Sequence, residues 1–281
     1  LPFFIAAVPG LVLALFIFLI KEPKRGAAET VKVSQEPVQQ PIRKVLSIRT
    51  FWWLVLAGLA FNFATYACNA FMVPLLMRYH GVSLVQASVA TGVIVGLTGL
   101  FGLTLGGWVA DRIHQRYARG RLIFAAVSML IATIATGYAL LAGRIEVGMF
   151  VAVFSIGWLF SYNFYTCVYT AIQDVVEPRL RATAMALFFA GLYLLGGGMG
   201  TVVVGLLSDH FAEGAMLAAG ASEMAEAFRA EGLHGAMYLI PASLLLTMLF
   251  LFQASRTFCA DTQRMTAGMT ADARGAEAVP A

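Results

Sequence analysis

The chain has 281 residues, of which 60% are hydrophobic and only 12% are charged. An average soluble domain has about 25% charged residues, so this composition argues against a soluble globular protein. The formal net charge is +4, but membrane proteins sort Lys and Arg by side of the bilayer, so the positive charge does not indicate a nucleic-acid partner.

Apolar segments predict the membrane spans, since about 20 such residues cross a hydrocarbon core about 30 Å thick. Seven segments qualify, at residues 2–20, 51–77, 84–110, 122–142, 147–172, 182–207 and 234–254. A polar linker is predicted at 21–50. Its last part, 41–50, forms either an amphipathic helix on the membrane surface or the start of the next span. The polar tail, 255–281, is expected to be disordered.

Glycines are concentrated in two of the predicted spans. The third has small residues at i, i+4 spacing, including Gly102 and Gly106, which lets helices approach closely. The sixth contains Gly196, Gly197, Gly198 and Gly200. Each Gly costs roughly 1 kcal/mol of helix propensity relative to Ala, so this run predicts close packing or a bend.

The distribution of Lys and Arg predicts the orientation of the spans. Sixteen of the 19 basic residues fall in the linker, the tail and the loops on the same side, and three fall on the other side. Loops that stay in the cytoplasm carry the excess of Lys and Arg. The linker and tail are therefore predicted to be cytoplasmic, in a multi-pass protein of the plasma membrane, or of the inner membrane in a bacterium.

A motif marks the end of the third span. Gly107-Trp108-Val109-Ala110-Asp111-Arg112, followed by a basic run to Arg121, resembles the G-x-x-x-D-R-x-G-R-[KR] loop signature of the major facilitator superfamily. His114 stands where the signature usually has Gly, so the turn of this loop is expected to differ in shape.

Further segments resemble the same superfamily. Residues 177–184, EPRLRATA, resemble the P-x-x-R-[GA]-x-A pattern that opens the eleventh helix in many members. Three others resemble the spinster-type lipid transporters: KEPKRG at 21–26, TFWW at 50–53 and GLLSD at 205–209.

The resemblance implies an all-α membrane protein, a polytopic bundle made of the six-helix C-terminal half of a twelve-helix major facilitator fold plus one preceding helix. Residues 1–20 are then the last helix of the N-terminal half, 21–50 the cytoplasmic central linker, 51–254 the C-terminal domain and 255–281 the tail. Because Leu1 already lies inside an apolar segment, the N-terminal half is expected to be a missing part of the same polypeptide. The protein is expected to be a monomer.

Two one-sided stripes of polar and aromatic side chains are candidates for a substrate cavity. On the second span, the positions i, i+3, i+4 and i+7 are Asn62, Thr65, Tyr66 and Asn69. On the fifth, the positions i, i+4, i+7 and i+11 are Trp158, Tyr162, Tyr165 and Tyr169. The resemblance implies that both face the transport path, as helices seven and ten do in the superfamily. The alternatives are helix-to-helix hydrogen bonding for Asn62 and Asn69 and interfacial anchoring for the tyrosines near Tyr169.

The loop after the third span supplies a candidate cytoplasmic gate. A carboxylate at a helix end can dock against the positive N-terminus of a neighbouring helix. The resemblance implies that Asp111 helps to hold the two halves together when the cavity opens outward. The gate residues predicted on this basis are Gly107, Asp111, Arg112 and Arg181. The alternative is a set of surface ion pairs and positive-inside anchors.

The predicted function is secondary active transport of an amphiphilic or lipid-like substrate, of the lysolipid or sphingosine-phosphate type, by alternating access and coupled to protons. The predicted spans of the C-terminal half carry no charged side chain, so the coupling carboxylate is expected in the N-terminal half. A cavity rich in Tyr, Trp and Asn suits an amphiphile better than a small anion. The alternative is a carrier of a small polar metabolite, such as a sugar acid or other organic anion, or of a drug.

The sequence argues against two other classes of protein. A seven-helix receptor matches the number of spans but leaves the G-x-x-x-D-R loop unexplained, and a retinal protein would need a Lys inside a span. An enzyme is not predicted, because no His, Glu or Asp cluster with metal spacing and no G-x-S-x-G motif is present. Neither a cofactor nor a metal is predicted. The expected partners are membrane lipids, the amphiphilic substrate and protons.

Overall fold

The fold is that of a computed structural model, which describes residues 2–19, 21, 39–143 and 145–277. The chain divides into two compact units, one at Pro37–Ala267 and one made of Leu1–Glu36 and Gly268–Ala281. The second unit contains α1 (Pro2–Ile17), an apolar helix of 16 residues that corresponds to the first predicted span. Residues 22–38 of the predicted linker lie outside the described residues.

Six long helices form the larger unit within the described residues. They follow the short α2 (Pro41–Leu46) and are α3 (Arg49–Arg78), α4 (Leu84–Arg116), α5 (Gly120–Leu141), α6 (Val147–Val175), α7 (Pro178–Ala218) and α8, which begins as Glu226–Met237 and continues as Leu239–Glu277. All six are long and apolar enough to cross a membrane. The prediction of a polytopic all-α membrane protein is therefore confirmed.

The helices extend beyond the predicted spans. The clearest difference concerns the tail, which was expected to be disordered from Ser255, whereas α8 is helical to Glu277. The apolar run fixes where a helix crosses the membrane, but local propensity and tertiary contacts fix where it ends. Here Asp261 is buried and accepts hydrogen bonds from the backbone N–H and the hydroxyl of Thr50, at 2.8 and 2.7 Å. The tail up to this point is thus anchored to the first turn of α3.

The α2 region also differs from the prediction at 41–50. The structure has a separate short helix that ends at Leu46, and α3 begins at Arg49. Ser47 and Ile48 form the turn between them, and the Ser47 hydroxyl donates to the Lys44 carbonyl at 2.7 Å. Residues 41–50 thus contain a short helix followed by an early start of the next span, and the location of α2 on the membrane surface stays a prediction.

Glycines allow two pairs of helices to approach closely, as their spacing predicts. A Cβ added at Gly102 of α4 would lie 2.5 Å from the Leu159 carbonyl oxygen of α6. On α7, a Cβ added at Gly200 would lie 2.5 Å from the Phe63 carbonyl oxygen of α3. Because these distances are shorter than a carbon–oxygen contact allows, each pair is packed backbone to backbone.

Each of these pairs also contains a π-helical segment. Gly92–Leu97 interrupts α4 and Gly191–Gly197 interrupts α7, in both cases with α-helix before and after. A π turn closes hydrogen bonds between residues i and i+5, and such turns occur frequently at functional sites. The glycine run of the sixth span thus lies at a close helix contact, one of the two features that it predicts, and next to a change from π- to α-helical hydrogen bonding.

Aromatic stacking joins α3 to α6 in the core. The rings of Phe61 and Phe164 are both buried, with centroids 4.2 Å apart and planes within 13° of parallel. Tyr165 meets the edge of Phe61 at 5.2 Å. This cluster places the predicted tyrosine stripe of α6 next to the predicted polar stripe of α3.

Candidate functional site

Some side chains of the predicted polar stripe of α3 are exposed, and others are buried where α3 packs against other helices. Tyr66 is 40% exposed, and Asn69 is also exposed. Thr65 is half-buried and its hydroxyl donates to the Phe61 carbonyl at 3.0 Å. Asn62 is only 2% exposed. The structure therefore places Tyr66 and Asn69, but not Asn62, on an open surface.

Asn62 makes a hydrogen bond between helices. Its Nδ2 donates to the Leu192 carbonyl oxygen at 2.7 Å, and Leu192 belongs to the π-helical segment of α7. A buried amide needs such a partner, because an unsatisfied polar group costs about 1–3 kcal/mol. This contact is the helix-to-helix hydrogen bond that the sequence offered as the alternative role of Asn62.

Tyr162 makes the equivalent contact on the other helix pair. Its hydroxyl donates to the Val95 carbonyl oxygen at 2.7 Å, and Val95 lies in the π-helical segment of α4. Trp158, one turn earlier on α6, is 1% exposed and stacks on Phe154 at 5.8 Å. Of the predicted α6 stripe, Trp158 is thus a core residue, and Tyr162 stabilises the π-helical segment.

The tyrosines of α6 continue into two rings of α7. The centroids are 6.1 Å apart for Tyr162 and Tyr165, 5.6 Å for Tyr165 and Tyr169, 5.4 Å for Tyr169 and Phe189, and 5.9 Å for Phe189 and Tyr193. Tyr193 is 50% exposed and the other four are partly exposed. We call these five residues the aromatic ladder. It contains three of the predicted cavity residues.

Phe189 and Tyr193 are absent from the sequence prediction. Their i, i+4 spacing was a signal that they share a face of the sixth span. The π-helical segment begins between them, at Gly191, so no regular helical wheel relates them to the rest of α7.

At the predicted cytoplasmic end, Arg121 joins three helices through charge. Its guanidinium contacts Asp111 of α4 at 3.0 Å and Asp174 of α6 at 2.8 Å, and Arg121 itself lies on α5. The Arg121 side chain is 11% exposed and that of Asp111 is 65% exposed. His114 Nε2 lies 3.9 Å from Asp174. The Asp111 carboxylate is therefore held in place by a nearly buried arginine and still faces solvent.

The other predicted gate residues lie at the same end. The Arg112 guanidinium lies over the Trp108 ring, 4.0 Å from its centroid, and Arg181 Nε donates to the Gln173 carbonyl at 3.1 Å. A Cβ added at Gly107 would meet Thr166 Cγ2 at 3.6 Å, which is ordinary contact. The sequence prediction included Asp111 but missed its partner Arg121, 10 positions away, and Asp174, which binds the same guanidinium and lies 63 positions from Asp111.

The Major Facilitator Superfamily matches residues 1–201, more than two thirds of the chain. The chain belongs to this superfamily. Within the described residues, no group of three or more His, Cys, Asp and Glu is placed to hold a metal ion.

Three relatives within the superfamily are similar in sequence to this chain. An MFS-type efflux pump of Mycolicibacterium smegmatis is 32% identical over 58% of this chain and 39% of its own length. Protein spinster homolog 3 of Danio rerio is 28% identical over 74% of this chain and 44% of its own. Sphingosine-1-phosphate transporter SPNS2 of Danio rerio is 27% identical over 71% and 42%. The chain thus spans less than half the length of each of these relatives.

A solved structure of a Spinster homologue is also similar to this chain. The crystal structure of a bacterial homologue of the human lysosomal transporter Spinster, in an inward-facing and unoccupied conformation, has a TM-score of 0.69 and 27% identity. The match covers 92% of this chain and 59% of the other. Together with the spinster relatives, it confirms the predicted resemblance to spinster-type transporters. Where a relative's name states an activity, that activity is transport, as expected of a chain that is not an enzyme.

Proposed function

We propose that the whole protein is a secondary transporter that moves an amphiphilic or lipid-like substrate across the membrane by alternating access, coupled to protons. The observation that carries this proposal is the aromatic ladder. Its rings offer an apolar track about five side chains long, and its tyrosine hydroxyls add hydrogen-bonding groups along that track. An acyl chain would contact the ring faces, and a polar headgroup would bond to the hydroxyls.

The exposed residues of α3 belong to the same proposed substrate cavity as the aromatic ladder. Tyr66 packs against α7, because a Cβ added at Gly197 would lie 3.1 Å from the Tyr66 ring. Asn69 is exposed further along the same face. Asn62 and Trp158 support the cavity wall from behind, since both are buried. A small anion would instead need an arginine or a helix N-terminus in this surface, which makes a sugar-acid carrier the second candidate.

The proposed proton site lies in the other half of the transporter. Within the described residues, every Asp and Glu falls outside the predicted spans, whereas proton coupling needs a titratable group inside the membrane. In this half, Asp111 is the proposed latch, which docks on the other half when the cavity opens outward. Arg121 orients it. The proposed orientation places the linker, α2 and the end of α8 in the cytoplasm, in a monomer.

The test is uptake into proteoliposomes that contain the full-length protein. We expect a lysophospholipid or a sphingoid phosphate to be transported and a hexuronate not to be transported. Tyr193→Ala should raise the KM for the lipid about 5-fold, the value of one aromatic contact of about 1 kcal/mol. The control is Tyr138→Ala on α5, which is similarly exposed at 53% and should leave KM unchanged. Transport of hexuronate alone would assign the protein to the second candidate function.

Proton coupling is tested in the same vesicles. A protonophore should reduce the initial rate of lipid transport, because it collapses the gradient that drives accumulation. Equal rates with and without the gradient would show facilitated diffusion and contradict the coupling part of the proposal, while leaving the substrate class intact.

A further inference from the structure

The short helix α2 has an amphipathic arrangement that transport does not explain. Val45 is fully buried, which fixes one side of the helix to the bundle, whereas Ile42 is 53% exposed and Leu46 is 37% exposed. Trp52, in the first turn of α3, is 49% exposed. Large apolar side chains are unfavourable in a water-exposed loop. They are favourable at the boundary between headgroups and acyl chains, where Trp is enriched.

The Trp52 side chain also ties α2 to α3. Its indole Nε1–H donates to the Leu46 carbonyl oxygen at 2.8 Å. That carbonyl ends α2 and has no partner within its own helix, so the indole satisfies it. The polar atom of the indole is thus used within the protein, and the exposed part of the ring is apolar.

A concave surface lies on another face of the same short helix. It is shallow and open to solvent, has a volume of about 400 Å³, and is lined by Gln39, Gln40, Arg43, Lys44 and Ser47. The lining residues that the structure describes contribute a guanidinium, an ammonium, two amides and a hydroxyl, and none of them is a carboxylate. A surface with this set of donors and a charge of about +2 is complementary to a phosphate group.

The backbone at this surface is strained. Gln40 has φ 53° and ψ 57°, in the left-handed region that favours glycine. Among the described residues, Gln40 is the only non-glycine residue with a positive φ. Its Oε1 accepts a hydrogen bond from Arg43 Nη1 at 3.3 Å. Strain of this kind persists where the surroundings enforce it and is concentrated at ligand-binding sites.

We propose that this surface binds the phosphate of an anionic phospholipid. Arg43 and Lys44 contact the phosphate, and Ile42, Leu46 and Trp52 lie at the level of the upper acyl chain. The occupant is a lipid rather than a free anion, because the cationic lining and the exposed side chains of Ile42 and Leu46 belong to the same short helix. The site then anchors the α2–α3 corner to one leaflet, and this inference does not depend on which substrate is transported.

The experiment measures lipid binding to the full-length protein in detergent. The probe is dioctanoyl phosphatidylglycerol, followed by native mass spectrometry, and the chain-matched control lipid is dioctanoyl phosphatidylcholine. The double variant Arg43→Gln/Lys44→Gln should bind phosphatidylglycerol about 30-fold more weakly, which is about 5-fold for each lost charge. Arg43→Lys, which keeps the charge, should retain binding within about 3-fold.

A charge-matched control separates this site from general surface charge. Arg116→Gln/Arg119→Gln removes two exposed cations from the same predicted side of the membrane and should change binding less than 2-fold. All variants should melt at the wild-type temperature without lipid, because the altered side chains are exposed.

Several results would overturn the proposal. Equal weakening by both double variants would show general surface charge rather than a site. Equal binding of the two lipids would show that the phosphatidylglycerol charge is not recognised. Binding of inorganic phosphate as tight as that of the lipid would show a site for a free anion.

Discussion

The side chain of Asn62 on α3 donates a hydrogen bond of 2.7 Å to the backbone carbonyl of Leu192 on α7, in a contact from which solvent is excluded. Asn62→Ala should therefore lower the stability of the bundle. The expected loss is about 1–3 kcal/mol, because the Leu192 carbonyl would be left buried without its partner. Thermal unfolding in detergent, followed by a thiol-reactive dye or by tryptophan fluorescence, measures the loss.

Asn69 provides the contrasting substitution on the same helix face. It is exposed, so Asn69→Ala should leave the melting temperature unchanged and, if this face lines the cavity, should raise KM for the substrate. The two asparagines thus separate a packing role from a substrate role. An unchanged melting temperature for Asn62→Ala would contradict the packing role that the structure assigns to it.

Two glycines of α4 should respond differently to alanine. Gly102→Ala places a Cβ 2.5 Å from the Leu159 carbonyl oxygen, so α4 and α6 must separate. The expected cost is about 1–3 kcal/mol, as for overpacking of a core. Gly107→Ala meets only Thr166 Cγ2 at 3.6 Å and should be neutral or slightly stabilising, since Ala favours helix by about 1 kcal/mol. A larger loss for Gly107→Ala than for Gly102→Ala would refute the backbone contact.

The charges around Arg121 allow the latch hypothesis to be tested separately from folding. Asp111→Asn should reduce transport while leaving stability within about 1 kcal/mol of wild type, because the carboxylate is mostly exposed. Its control is Glu226→Gln, which removes an exposed ion pair with Arg78 at the opposite end, N···O 2.8 Å. Uptake by well-folded Asp111→Asn at the wild-type rate would contradict the latch.

Arg121→Gln should behave differently from Asp111→Asn. The arginine is nearly buried and bonds to two carboxylates, so its loss leaves Asp174 without its main counter-charge. We expect a loss of about 1.5–3 kcal/mol, the value of a hydrogen bond to a charged group. The measurement is again thermal unfolding, at low and high salt. A loss that disappears at high salt would indicate a screened surface pair instead.

The contact between Asp261 and Thr50 predicts that residues beyond the last membrane span contribute to folding. Asp261→Ala should lower stability by about 1–2 kcal/mol, because the carboxylate accepts from a backbone N–H in the first turn of α3 and so acts as a helix cap. The matched control is Arg264→Ala, whose side chain is 71% exposed and lies 3.5 Å from Asp261. It should cost no more than a few tenths of a kcal/mol.

Structural features that depend on a local pattern of residues could be predicted from the sequence. Long apolar runs predicted the helices that cross the membrane, and glycine spacing predicted which faces pack closely. The roles of individual polar residues were less predictable, because they depend on partners far along the chain. Asn62 bonds to Leu192, 130 positions away, and Thr50 bonds to Asp261, 211 positions away. Periodicity identifies the face on which such a residue lies but does not reveal what covers that face.

The π-helical segments have a consequence for comparing this chain with its relatives. A π turn spans i to i+5 where an α turn spans i to i+4, so each segment accommodates about one additional residue. Removing that residue would restore a regular helix and rotate everything after it by about 100°. Gly200 would then turn away from Phe63, with which it is in contact. Single-residue gaps in alignments of related chains therefore belong within Gly92–Leu97 and Gly191–Gly197, where the helix can absorb them.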